Sequence, residues 1–251
     1  MQSLTKKAEI KVQLEKCISS YRKSGVNACV TVLHNAILNK KVRFPLLEFC
    51  GRELYEVLSD RELLVFCDRV EALKTIGGNV IIGILLQRRL SNDFESSLKK
   101  ATEYIAVADT WQVCDIIGER VFGHALLYHT HEALPKMKEM AQHPSNWVVR
   151  SLGAGFHNAI KWGLDAKDVN QLFRILLSLA NHKDKEIKQG VGWAAKTTAK
   201  FHPKIITYFE EQIQNPKSTG NWFRTKVKIG LERHKAMNPK PKRTNGHYIK
   251  S

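Results

Sequence analysis

Trp111 and Asp115 stand four residues apart in DTWQVCDIIGERVFG, so on a helix they share one face. Gly118 and Phe122 continue that stripe, and Cys114 borders it. A carboxylate in such apolar company needs a partner or a purpose. The ordinary partner is a helix end or an arginine; the purpose would be chemistry. A second unusual face runs through NWVVRSLGAGFHNAIKW. Val148, Val149, Leu152, Phe156, Ala159 and Ile160 make its core side. Asn146, Arg150, Ala154, His157 and Lys161 make the other, with Gly153 at the edge. Small residues beside Arg and Lys let a backbone of phosphates come close, and a guanidinium grips two oxygens at once. The plain alternative is a solvated helix face.

The third face lies in QGVGWAAKTTAK. Ile187, Val191, Ala194, Ala195 and Thr198 gather on one side, while Trp193 falls opposite with Gln189, Lys196 and Lys200. An indole removes more apolar area from water than its neighbours and belongs in the core. On a wet, basic face it asks for a ligand.

These side chains must be held by helices. Apolar residues recur at helical spacing nearly everywhere, and alternating patterns are scarce. The spacing predicts helices over roughly 5–23, 26–38, 45–57, 60–74, 79–90, 93–107 and 110–129. Others follow at about 132–142, 145–162, 166–181, 184–201, 203–214 and 220–235. Asp93, Ser145, Asp165 and Asp184 are placed to cap helices, and Gly163 and Pro203 to break them. From about residue 93, paired helices recur roughly every 40 residues, the period of stacked HEAT-type hairpins. The expected architecture is therefore all-α: a curved solenoid of HEAT-like helical hairpins, forming one domain over residues 1–235. From Pro216 to the end there are ten Lys or Arg and one acid, Glu232, and residues 236–251 read as a disordered basic tail.

Charge points to a partner. Forty Lys and Arg against twenty-four Asp and Glu give the 251-residue chain a net +16, which attracts polyanions, nucleic acid first among them. Five scattered cysteines lack metal or disulfide spacing, so no metal and no cofactor is expected. The opening MQSLTKKAEIKVQLEKC lacks the apolar centre of a signal peptide, and no run of about eighteen apolar residues would span a membrane. A cytoplasmic protein is expected.

DTWQVCD, SNWVVRS and KQGVGWAAKTTAKFHP resemble the matching segments of the AlkD-type DNA alkylation-repair glycosylases, over about residues 90–210. The family's Trp and Asp, four apart, fall on Trp111 and Asp115; its arginine falls on Arg150 and the tryptophan of its GW pair on Trp193. The resemblance implies a HEAT-like solenoid that releases cationic N3- and N7-alkylated purines from double-stranded DNA. It implies catalytic roles for Asp115, Trp111 and Trp193. Arg150 would clamp a phosphate, and His157, Lys161, Gln189, Lys196 and Lys200 would extend the DNA track. Asp115 would stabilise positive charge developing on the sugar and position water, while the indoles would face the damaged nucleotide. No lysine is singled out as a nucleophile, so a monofunctional enzyme, acting as a monomer, is expected. The N-terminal stretch KVRFPLLEFCGREL departs from the family pattern. Pro45 is in place, but Leu46, Leu47 and Glu48 stand where basic residues belong, leaving Arg43 or Arg52 to substitute. That departure keeps open a noncatalytic solenoid binding damaged or branched DNA, and beyond it a protein-interaction scaffold.

Overall fold

Helical periodicity becomes helix over most of the computed structural model, which describes residues 3–108 and 110–237. The chain runs through α1 (Lys7–Leu33), α2 (Phe44–Tyr55), α3 (Asp60–Glu71), α4 (Ile76–Arg89), α5 (Phe94–Ala106), α6 (Trp111–Ile117) and α7 (Gly123–Tyr128). It continues through α8 (Thr130–Met140), α9 (Asn146–Lys161), α10 (Ala166–Ser178), α11 (Lys185–Phe201), α12 (Pro203–Tyr208), α13 (Glu210–Gln214) and α14 (Asn221–Met237). A two-residue parallel ladder, β1 (Ser3–Leu4) with β2 (Lys41–Val42), ties the N-terminus down. Helix α14 extends to Met237 and so takes in residues 236 and 237 of the expected tail; the rest of it, residues 238–251, lies outside the described residues.

Local signals explain most boundaries. Gly25 adopts φ 77°, which glycine tolerates without strain, and kinks α1 where two helices were expected. Asp93 accepts from the Ser96 N–H, and Asp184 from those of Glu186 and Ile187. Ser145 and Asp165 occupy cap positions without a side-chain cap bond. Gly163, at φ 97°, closes the turn after α9, and Pro203 starts α12.

From α5 onward the outer helices begin at Phe94, Thr130, Ala166 and Pro203, a repeat of about 36 residues. Their partners stack as an inner layer, with α4 against α2 and α6, α9 against α6 and α7, and α11 between α9 and α14. Helix α4, apolar all round from Val80 to Leu86, is buried by α2, α3, α5 and α6. The cysteines at 17, 29, 50, 67 and 114 are buried free thiols. No helix among the described residues is long and apolar enough to cross a membrane.

The inner layer is tightest between α9 and α11. A Cβ on Gly153 would lie 2.0 Å from the Gly190 carbonyl oxygen, and one on Gly190 would lie 2.2 Å from the Arg150 oxygen. This corrects the expectation for Gly153 and Ala154. Gly153 admits a neighbouring helix, and both residues are buried.

The stripe through Trp111 needs a second correction. Residues 118–122 form a π turn, whose extra residue per turn shifts the helix face. Trp111 stays exposed and Asp115 is only partly buried, but Gly118 packs on Ser151 and Phe122 enters the core.

Candidate functional site

The three unusual faces meet. Trp111 and Asp115 from α6, Arg150 from α9, and Gln189, Trp193 and Lys196 from α11 line one cleft of about 500 Å³. Lys185, Glu186 and Lys226 complete its wall. Neither indole belongs to the core: Trp111 is 51 % exposed, and Trp193 is half-buried with its ring on the cleft.

The centre of the cleft is a hydrogen-bonded ion cluster. Arg150 donates from Nε to Asp115 Oδ1 at 3.0 Å and from Nη2 to Oδ2 at 2.8 Å. Its Nη1 donates to Glu186 Oε2 at 2.7 Å. The guanidinium also faces the Trp111 ring at 5.7 Å. Burial works against its charge, but Asp115 and Glu186 outweigh that and hold Arg150 above its ordinary pKa. The arginine expected to reach for phosphate is therefore turned inward, onto two carboxylates, and its side chain is only 7 % accessible. Asp115 is fixed in place by a bidentate fork, a geometry that sets its orientation as well as its charge balance.

Trp193 has a comparable support. His157 stacks on it, ring centroids 4.2 Å apart and planes inclined by 26°. Thr197 Oγ1 donates to the Trp193 carbonyl at 3.0 Å and lies 2.7 Å from His157 Nδ1. Burial, reinforced by Lys161, Lys196 and Lys200, pulls the His157 pKa down to about 4. His157 is thus neutral at pH 7. It belongs under the indole, and the expectation of a basic residue on the DNA track is corrected.

That neutrality has a consequence for stability. The unfolded histidine takes a proton near its ordinary 6.5 and the folded one only near 4, so acid favours unfolding across that window. His124, hydrogen-bonded to Gln87 and also lowered by burial to about 4, acts in the same sense. Stability should be at its full value above about pH 6.5 and decline toward pH 4. Urea midpoints measured across that range should show the decline, and His157→Gln with His124→Gln should lessen it, with His202, also lowered by burial, keeping part of it.

The positive track is carried unevenly. Lys196 lines the cleft, where burial, Arg233 and Lys226 lower its pKa. Lys161 is exposed at the end of α9, and Lys200 lies 4.8 Å over the Phe201 ring; neither lines the cleft. Lys226 approaches because Gly192, the glycine of the GW pair, leaves room for its stem: a Cβ there would meet Lys226 Cγ at 2.9 Å. In the N-terminal region, Glu48 ion-pairs with Arg120 at 2.6 Å, while Arg43 and Arg52 are exposed.

Sequence reasoning missed Lys185, Glu186 and Lys226. Glu186 was legible, since residues 186, 189, 193, 196 and 200 form one helical stripe. Its place in a first turn reads as helix-end chemistry and hides that role. Lys226 had no local signal, because only the packing of α14 on α11 brings it in.

The sequence pattern of the DNA alkylation repair enzymes matches residues 78–223, more than half of the chain. Among solved structures, the crystal structure of AlkD2 from Streptococcus mutans is similar, with a TM-score of 0.67. The match covers 82% of this chain and 98% of that one at 15% identity, a likeness of fold. No curated protein matches the chain.

Proposed function

The chain belongs to the family of DNA alkylation repair enzymes, and from that premise we propose that it is a monofunctional glycosylase for cationic N3- and N7-alkylpurines in duplex DNA. Alkylation makes the purine a better leaving group, and its departure builds positive charge on the deoxyribose. Asp115, sharing a cleft with two indoles and largely out of water, suits that charge better in the transition state than before it, which is the condition for acceleration. Each of its oxygens accepts one hydrogen bond from Arg150 and keeps a second lone pair with which to orient water. Trp111 and Trp193 offer faces to the sugar and to a cationic lesion, while Lys185, Lys196 and Lys226 hold the phosphates. Outside the cleft, Lys161 and Lys200 lengthen the track. The single observation that carries this reading is the convergence of Asp115, Trp111 and Trp193 on one basic cleft.

One observation favours the noncatalytic alternative. Both oxygens of Asp115 take hydrogen bonds from Arg150, which offsets the charge that catalysis needs. The two readings part in one assay. The protein is incubated with methylated duplex DNA in the presence of a chelator, and free bases are separated by chromatography. Release of 7-methylguanine or 3-methyladenine, leaving an unbroken strand with an abasic site, is expected. Salt-sensitive DNA binding with no base released would select the noncatalytic binder.

A further inference from the structure

Glu186 bears on the charge problem that Arg150 creates. It is the second residue of α11, and its backbone N–H is anchored 2.8 Å from Asp184 Oδ1. Its carboxylate holds Nη1 of Arg150, the one guanidinium nitrogen that Asp115 does not take. With both acids ionised, the cluster of Asp115, Arg150 and Glu186 carries one net negative charge. With Asp115 and Arg150 alone it would carry none.

We propose that Glu186 is a positioning residue of this site: by sharing the guanidinium of Arg150 it keeps Asp115 oriented while leaving the cluster anionic beside Trp111 and Trp193. The inference rests on the glycosylase reading of the cleft. It follows that Glu186 has effects of opposite sign. An acid in a groove that receives phosphate weakens DNA binding, because it cancels part of the positive field. The same acid favours the step in which positive charge develops.

Two substitutions separate charge from shape. Glu186→Gln keeps the length and one acceptor oxygen but removes the charge. Glu186→Asp keeps the charge on a shorter arm. Single-turnover base release at saturating methylated duplex should fall about tenfold in Glu186→Gln and less in Glu186→Asp. Affinity for unmodified duplex of the same sequence, read by fluorescence anisotropy, should rise several-fold in Glu186→Gln, with Glu186→Asp closer to the unchanged protein.

A packing or hydrogen-bonding role predicts the reverse order, with the isosteric amide the milder change. An amide variant that cleaves as fast as, or faster than, the aspartate variant overturns the proposal, as does a loss of rate accompanied by weaker binding. If the unchanged protein releases no base, the glycosylase reading fails. The affinity order then decides about Glu186: a tighter amide variant supports its hold on the Arg150 charge, and equal affinities end it.

Discussion

Asp115→Asn is expected to slow base release about 30- to 1,000-fold, the range that corresponds to about 2–4 kcal/mol of transition-state stabilisation. The amide keeps the size of the side chain and one acceptor oxygen, so it removes charge with little change of shape. Its effect on folding is limited by Glu186. Breaking a buried ion pair usually strands the remaining charge, at a cost of about 3–5 kcal/mol. Here Arg150 keeps its bond to Glu186 Oε2, so the guanidinium is not left alone. The variant should therefore melt close to the unchanged protein and still bind DNA, with affinity raised by the loss of one anion. Single-turnover release, thermal melting and anisotropy together decide the matter. Release at the unchanged rate would remove Asp115 from the chemistry, and the noncatalytic reading would then take over.

The two supports of the site were legible to different degrees. Face geometry alone put Trp193 on a wet, basic stripe, because the helical period is fixed and the core residues beside it are unambiguous, whereas Trp111 was legible only as sharing a face with Asp115. Asp115 and Arg150 were legible as odd residues, each with a helix-face argument, but their mutual bond was one of two open outcomes. Sequence cannot say which way a long side chain turns; the two acids that flank Arg150 decide it. His157 was misread for a related reason. Its formal type suggests a basic residue, whereas the ring beneath an indole is desolvated, and desolvation outweighs type. Phe122 shows the other kind of limit. The π turn over residues 118–122 inserts a residue into the period, and a stripe drawn at 100° per residue runs off course beyond it.

From about residue 93 onward the helix hairpins were readable, because breakers and period agreed. What holds them at the right separation was not. In a sequence, Gly153 beside Arg150 looks like a place for a ligand's backbone; in the fold it is a place for the backbone of α11. A glycine marks a close approach without saying of what.

Gly190→Ala tests that contact and should have the largest effect on stability. Two terms oppose each other. Alanine in the middle of α11 gains about 1 kcal/mol of helix propensity over glycine. Against this, the new methyl would lie 2.2 Å from the Arg150 carbonyl oxygen and 3.0 Å from its Cα, with backbone as the obstacle. Backbone cannot rotate away as a side-chain tip does, so α9 and α11 must separate, and overpacking of this kind costs about 1–3 kcal/mol or more. The clash wins, for a net loss of about 2 kcal/mol and a fall in melting temperature of roughly 4–8 °C. Gly77→Ala provides the comparison, since its Cβ would meet only the tips of side chains, Leu38 Cδ2 at 3.1 Å and Leu47 Cδ2 at 3.4 Å, and little change is expected. The same separation carries Arg150 and Asp115 away from Trp193, because the first two ride on or beside α9 and the last on α11. Base release should consequently drop further than stability alone explains, when measured well below the melting temperature. A Gly190→Ala protein that melts and cleaves like the original would mean that α9 and α11 are not held at this distance, and that the cleft between them is shaped by something else.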